Sequence, residues 1–252
     1  MVEASAVVWG SGTRVVLVHG SMSTGPVAWQ FQRPLADQGY QLVVPTRHAY
    51  RSDAAAGEGE DFVLDAEELI PLLEGRAHLV GASYGGLVAM LAAAENPTMV
   101  RSLVLVEPPA LAAAANVPAV HGFSADLDRV FGESDSDRDF LLRFLTLVGV
   151  RTDAVPEPLL DQWTALVPPL RHGRRERTAA VPVRQLVDAG FPILVISGRH
   201  HPAFDAVCDA LARDLHAEQV LITGAGHAVQ TMAGQFNTAV ADFWSRADAG
   251  RR

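Results

Sequence analysis

The chain contains no lysine. All 20 of its basic residues are arginine, set against 29 acidic residues for a formal net charge of −9 over 252 residues. An arginine-favouring genome accounts for the missing lysine; a surface built to meet anions is the functional alternative. The acidic balance excludes a general nucleic-acid binder, since phosphate contacts need a basic surface. Cysteine is almost as scarce. The single Cys208 cannot form an internal disulfide and gives no sign of an oxidising compartment. Long apolar runs are also missing, the longest being Leu87 to Ala94, far short of a bilayer span. The opening MVEASAVVWG has neither a basic n-region nor a long apolar h-region, so no signal peptide is expected. Charged residues make up only 19%, while hydrophobic residues reach 49%, which excludes a disordered chain. The expectation is a cytoplasmic globular protein, monomer or homodimer, without nucleic-acid or membrane partners.

What is present is an alternation. Short apolar runs at Ala4–Trp9, Arg14–Val18, Gln41–Pro45, Ala77–Val80, Leu103–Val106, Ile193–Ser197 and Gln219–Thr223 read as strands. Most are continuous rather than alternating, as in parallel strands buried on both faces. Helical patterns lie between them at Val27–Gln38, Phe62–Leu73, Tyr84–Glu95, Ala203–Leu215 and Val229–Arg246. The fold class implied is α/β, a mostly parallel open sheet of about seven strands with helices on both faces. The alternation breaks once, from Pro108 to Gly190, where no strand is legible and eight of the 15 prolines fall. Helical pieces at Ala125–Phe131, Arg138–Val148 and Pro158–Leu166 make this stretch a helical cap inserted between two strands of one sheet. The expected division is therefore a core of residues 1–107 and 191–252 with a cap of residues 108–190.

Three loops carry chemistry. Gly81-Ala82-Ser83-Tyr84-Gly85 matches Gly-x-Ser-x-Gly where a strand ends and a helix begins. A turn tight enough to project the Ser83 hydroxyl leaves no room for Cβ atoms two residues to either side, and the following helix aims its positive end at charge developing there. Val18-His19-Gly20-Ser21-Met22 runs from a strand into a loop whose Ser21 or Met22 N–H, with that of Tyr84, can hold an oxyanion. His19 itself is expected to pin that loop rather than move a proton. Gly226-His227 follows the last strand, where an imidazole of near-neutral pKa suits a general base.

Taken in this order, the His19-Gly20 loop, the Ser83 elbow, the insertion and Gly226-His227 resemble the α/β-hydrolase superfamily with a cap, over nearly the whole chain. The resemblance implies a sheet of up to eight strands, Ser83 as nucleophile and His227 as base. Serine at the elbow, rather than aspartate, speaks against the dehalogenases and epoxide hydrolases of that superfamily. One position departs from it. The family's usual acid follows the strand before the last as Gly-x-x-Asp, whereas here Gly198-Arg199-His200-His201 places His201 at that point. A histidine is a poor substitute for a carboxylate that balances an imidazolium. Two candidates remain: Glu107, at the end of the strand preceding the insertion, and Asp205, in the helix after His201. Some family members, lactonases of the zearalenone-opening type among them, carry a Glu acid at the former position, and Glu107 is the first choice. A second departure is the loop Thr46 to Ser52, which lacks the glycines of many relatives.

Trp29, Phe123, Phe140, Phe144 and Trp163 are candidate pocket residues, each with core packing as the alternative. The basic run Arg171 to Arg177 reads as a solvated face or a mouth for carboxylates. Adjacent His200-His201 lacks partners at ligand spacing, so neither metal nor cofactor is expected. The expected activity is hydrolysis of a carboxylic ester, with a lactone or other small apolar ester as the small-molecule substrate. C–C bond hydrolysis, thioester hydrolysis, perhydrolysis and a non-catalytic ligand receptor remain alternatives on the same residues.

Overall fold

A computed structural model describes residues 6–55 and 57–250. Among these residues seven strands form one sheet: β1 (Ala6–Trp9), β2 (Thr13–Val18), β3 (Tyr40–Pro45), β4 (Ala77–Ala82), β5 (Val100–Val106), β6 (Ile193–Ser197) and β7 (Glu218–Leu221). Their spatial order is β1-β3-β2-β4-β5-β6-β7, with only β1 antiparallel, to β3. Ala4 and Ser5 of the first expected strand lie outside the described residues. Every other neighbouring pair is parallel, for example Val16 beside Leu79 and Val106 beside Ile196.

The continuous apolar runs follow from the pleat. In β2, Val15 and Leu17 join one apolar cluster and Val16 and Val18 the other, so alternate side chains serve opposite faces and both are buried. The two edge strands break this rule: β1 exposes Val7 and Val8, and the residues of β7 are largely exposed.

Among the described residues ten α-helices accompany the sheet: α1 (Gly25–Ala28), α2 (Phe62–Leu69), α3 (Tyr84–Glu95), α4 (Pro118–Glu133), α5 (Asp137–Leu147), α6 (Glu157–Thr164), α7 (Val167–His172), α8 (Val183–Asp188), α9 (Pro202–Asp214) and α10 (Ala233–Ala249). Against one face, α10 buries Phe236, Phe243 and Trp244 beside Trp29. Each such side chain contributes about 1.5–3 kcal/mol of burial. The opposite face is covered by α2, α3 and α9, and α3 is buried almost throughout.

Proline explains two departures from the expected helices. Residues Gln30–Gln38 form a 3-10 stretch containing Pro34, and α2 yields to a 3-10 turn at Ile70–Leu73, where Pro71 removes a donor N–H. Between β5 and β6 the chain is helical from α4 to α8. Part of it has its own apolar cluster, in which Val130, Phe140, Leu141, Leu145, Leu160, Val167 and Leu170 are buried together. Leu186 of α8 rejoins the cluster against the sheet.

Candidate active site at the carboxyl edge of the sheet

Ser83 follows β4 with φ +50° and ψ −127°, a conformation that L residues adopt only under constraint. The neighbouring glycines supply that constraint. A Cβ at Gly81 would stand 2.3 Å from the Gly85 carbonyl oxygen, and one at Gly85 would stand 2.5 Å from the carbonyl oxygens of Val18 and His19. The Ser83 N–H donates to the Val106 carbonyl at 2.8 Å, tying the elbow to the end of β5.

His227 reaches the elbow from the loop after β7. Its Nε2 lies 3.0 Å from Ser83 Oγ, and with the ring proton on Nδ1 it accepts the hydroxyl. Two glycines permit the approach: a Cβ at Gly198 would fall 2.3 Å from the Gly226 carbonyl oxygen. The other ring nitrogen, Nδ1, faces Glu107 Oε2 at 3.7 Å. That is an ion-pair distance, longer than a hydrogen bond, and such contacts tighten when an imidazolium forms.

Glu107 is fully buried and leaves β5 with φ +47°. Its N–H donates to Ile196 O at 3.1 Å, while Oε1 accepts from Ser197 Oγ at 2.9 Å and Gly198 N at 2.6 Å. One carboxylate oxygen is thus anchored, and the other is left for the imidazoles. Burial by itself would raise the carboxyl pKa, yet His200, His227 and the Gly198 N–H hold it down at about 2. Asp205 sits one step back. Its Oδ1 lies 3.4 Å from Ser197 Oγ, whose single proton is nearer Glu107, and Asp205 makes no contact with His227.

His200 is the residue least expected here. Its Nδ1 lies 3.4 Å from Glu107 Oε2, and its ring centroid is 5.5 Å from that of His227. The sequence separation of His200 and His227 hides what the fold brings together. Glu107, His200 and His227 each place one ligand atom within 4.8 Å of the others, a spacing open to a divalent cation. In the hydrogen bond to Ser83 the same imidazole uses Nε2, while its Nδ1 faces Glu107. His201 caps α9, accepting from Ala203 N at 3.2 Å.

The His19 loop closes the other side. Gly20 is so near the elbow that a Cβ there would lie 3.0 Å from Ser83 Cβ. His19 is buried, with Nδ1 against Gly20 O at 2.7 Å and Nε2 accepting from Arg47 N at 2.9 Å. Burial and then the Arg47 charge keep its pKa well below the usual value, so it is a neutral pin. Behind Ser21 is a buried network that the sequence did not reveal. Arg47 pairs with Glu60 at 2.7 Å and Asp65 at 2.9 Å, while Ser21 Oγ and Tyr50 OH both donate to Glu60. The glycine-poor loop after β3 therefore carries the arginine that holds the Ser21 loop in place.

Ser83 and His227 open on a narrow cavity of about 30 Å³, with room for a water or two. Ser21 and Tyr84 line it, as do Phe123 and Phe144 from the cap. Met22, with φ +54°, packs instead against the apolar cluster of the cap. Three expected pocket residues lie elsewhere. Trp29 is fully buried against Phe236 on the far face of the sheet, because the segment before β3 packs beside α10. Trp163 belongs to the cap's own apolar cluster, as does Phe140, which stacks on Phe144 at 5.9 Å. The Arg171–Arg177 run is no free basic mouth: Arg171 pairs with Asp137, Arg174 with Asp61, and Arg175 and Arg177 with Asp128.

The model of the alpha/beta hydrolase family matches residues 15–239. This chain belongs to the alpha/beta hydrolase family. A 2-hydroxy-6-oxo-6-phenylhexa-2,4-dienoate hydrolase of Comamonas testosteroni is 29% identical over 118 residues, covering 43% of this chain and 41% of that protein. A pimeloyl-(acyl-carrier protein) methyl ester esterase of Aeromonas hydrophila is 33% identical over 99 residues, covering 39% of each. The chain thus aligns with about two fifths of the length of these curated relatives. Among solved structures, Est816, described as an N-acyl homoserine lactone degrading enzyme, superposes with a TM-score of 0.71 at 20% identity, covering 95% of this chain and 96% of that one. That likeness is one of fold. No helix among the described residues is long and apolar enough to cross a membrane.

Proposed function

We propose that this hydrolase cleaves a carboxylic ester of a small, mostly apolar molecule by two-step acyl transfer through Ser83, His227 and Glu107. The observation that carries the reading is the 3.0 Å contact between Ser83 Oγ and His227 Nε2, made by a serine held at φ +50°. His227 takes the hydroxyl proton as Oγ attacks the carbonyl carbon. The negative charge on the carbonyl oxygen falls to the backbone N–H groups of Ser21 and Tyr84, with the N-terminus of α3 behind it. His227 returns the proton to the leaving alcohol, and the same base then activates the water that frees the acid. Throughout, the Glu107 carboxylate fixes the imidazole tautomer and balances its cation.

Phe123, Phe144 and Phe204 on the cavity wall favour an apolar acyl group, and residues 108–190 act as the cap above it. Within the ester class, a lactone is the preferred substrate. That preference rests on the position of the acid after β5 and on analogy with lactonases of the superfamily. The test is turnover of p-nitrophenyl esters of increasing chain length by the wild type and by Ser83→Ala. The wild type turns over short esters and the variant does not; equal rates for the two would remove Ser83 from the chemistry.

A further inference from the structure

The polar side chains lining the cavity are nearly all committed. Ser83 and His227 hold each other. Ser21 Oγ gives its one proton to Glu60, and Tyr84 OH accepts from Phe62 N at 3.1 Å and donates to Arg174 O at 3.0 Å. Glu176, which begins a 3-10 turn in the cap, is the exception. Its side chain is only 9% exposed, and Oε1 is buried without a hydrogen-bond partner among the described residues. Oε2 faces Arg175 Nε at 3.7 Å. A buried acceptor left unpaired is costly, and sites of this kind take the missing donor from a ligand.

We propose that Glu176 is a specificity-determining residue, whose Oε1 accepts a hydrogen bond from an uncharged N–H or O–H donor on the substrate, away from the scissile carbonyl. This deepens the ester-hydrolase reading and rests on it. Arg175 decides for a neutral donor over a cation. Its guanidinium lies over the Phe131 ring and is shared between Glu176 and Asp128, and Arg177 also meets Asp128, so two arginines already balance the two carboxylates. The remaining wall, with Phe123, Leu127, Phe144, Leu170 and Phe204, is apolar. A substrate that fits it is an apolar ester carrying one secondary amide or hydroxyl. Burial raises the Glu176 pKa, while the Arg175 charge opposes the rise. Substrates bearing a carboxylate at the same place are disfavoured, because they would meet Glu176 with Glu60 behind it.

Paired alkyl fluorophosphonates test this directly. One member of each pair carries a secondary amide in its chain, the other the same amide N-methylated, with the amide moved stepwise along the chain. The second-order rate of Ser83 labelling is measured for the wild type, Glu176→Gln and Glu176→Leu. At one amide position the N–H probe labels wild type at least about tenfold faster than its N-methyl partner. That ratio shrinks in Glu176→Gln, which keeps a weaker acceptor, and falls to about one in Glu176→Leu. A ratio near one at every position in the wild type, or one that survives in Glu176→Leu, overturns the role of Glu176 while leaving Ser83 as nucleophile. If no probe labels Ser83, the hydrolase reading itself fails and this inference fails with it.

Discussion

Glu107 Oε2 faces His227 Nδ1 at 3.7 Å, from a residue that lies 120 positions earlier in the chain and is buried completely. The contact depends on three chain segments meeting: the end of β5, the Ser197-Gly198 corner that holds Oε1, and the Gly226-His227 loop that touches Gly198. It also separates the two candidate acids, because Asp205 reaches only Ser197.

The first prediction follows from that separation. Glu107→Gln keeps the shape of the side chain and lowers kcat on an ester substrate by about 10⁴-fold. Asp205→Asn changes kcat by less than about tenfold, since Asp205 orients nothing that reacts. Steady-state kinetics of the two variants check this, and the reverse ranking would move the acid to Asp205.

A second prediction concerns acid stability. The Glu107 pKa is held at about 2 in the folded protein, below the ordinary 4.5. A carboxyl with a depressed folded pKa stabilises the native state above its unfolded pKa, and that stabilisation is lost as pH falls from 4.5 toward about 2. Wild type should therefore lose urea resistance across this window more steeply than Glu107→Gln. Parallel curves for the two proteins would show that the burial cost outweighs the imidazole and N–H contacts.

The glycines offer a third, paired test. Gly85→Ala places a Cβ 2.5 Å from two backbone carbonyl oxygens, and should cost more than about 3 kcal/mol or prevent folding. Gly122→Ala, in the exposed part of α4 with open space around its Cβ, should instead stabilise by about 0.5–1 kcal/mol. Urea midpoints, or soluble yield for the former, decide it. A tolerated Gly85→Ala would contradict the close packing of the elbow against the His19 loop.

Arg47 gives a fourth. Arg47→Ala leaves Glu60 and Asp65 buried without their cation, and should cost about 3–5 kcal/mol. The Ser21 loop loses its anchor with it, so kcat falls even where the variant remains folded. Full activity with unchanged stability would detach this network from the site.

A fifth addresses the Glu107, His200 and His227 cluster. Because the proposed chemistry needs no metal, dialysis against EDTA should leave ester hydrolysis unchanged. A loss restored by added zinc would reassign these three residues as a metal centre.

Much of this was legible in the sequence, for definable reasons. Parallel strands buried on both faces appear as continuous apolar runs, so β2 to β6 announce themselves. The edge strand β7 is recognisable by the β-branched Val220 and by the Ile222 that follows the strand, rather than by burial along it. Ser83, Glu107 and His227 are visible because a parallel sheet delivers the ends of its strands to one edge, where glycines and polar residues stand out. Contacts set by three-dimensional packing were not legible. His200 reads as half of an adjacent pair until β6 and β7 bring it beside His227. Glu176 is hidden inside a basic run whose arginines face acidic partners while it turns inward. Trp29 looks like a pocket residue because aromatic type says nothing about which face of the sheet a segment will cover.

The central claim is that Ser83 is a nucleophile activated by His227. It is tested most directly by treating the protein with a simple alkyl fluorophosphonate and locating the adduct by peptide mass spectrometry. The account predicts one phosphonyl group, on Ser83, absent from Ser83→Ala and formed far more slowly in His227→Ala. An unmodified Ser83, or an adduct on another residue of the folded protein, would contradict it.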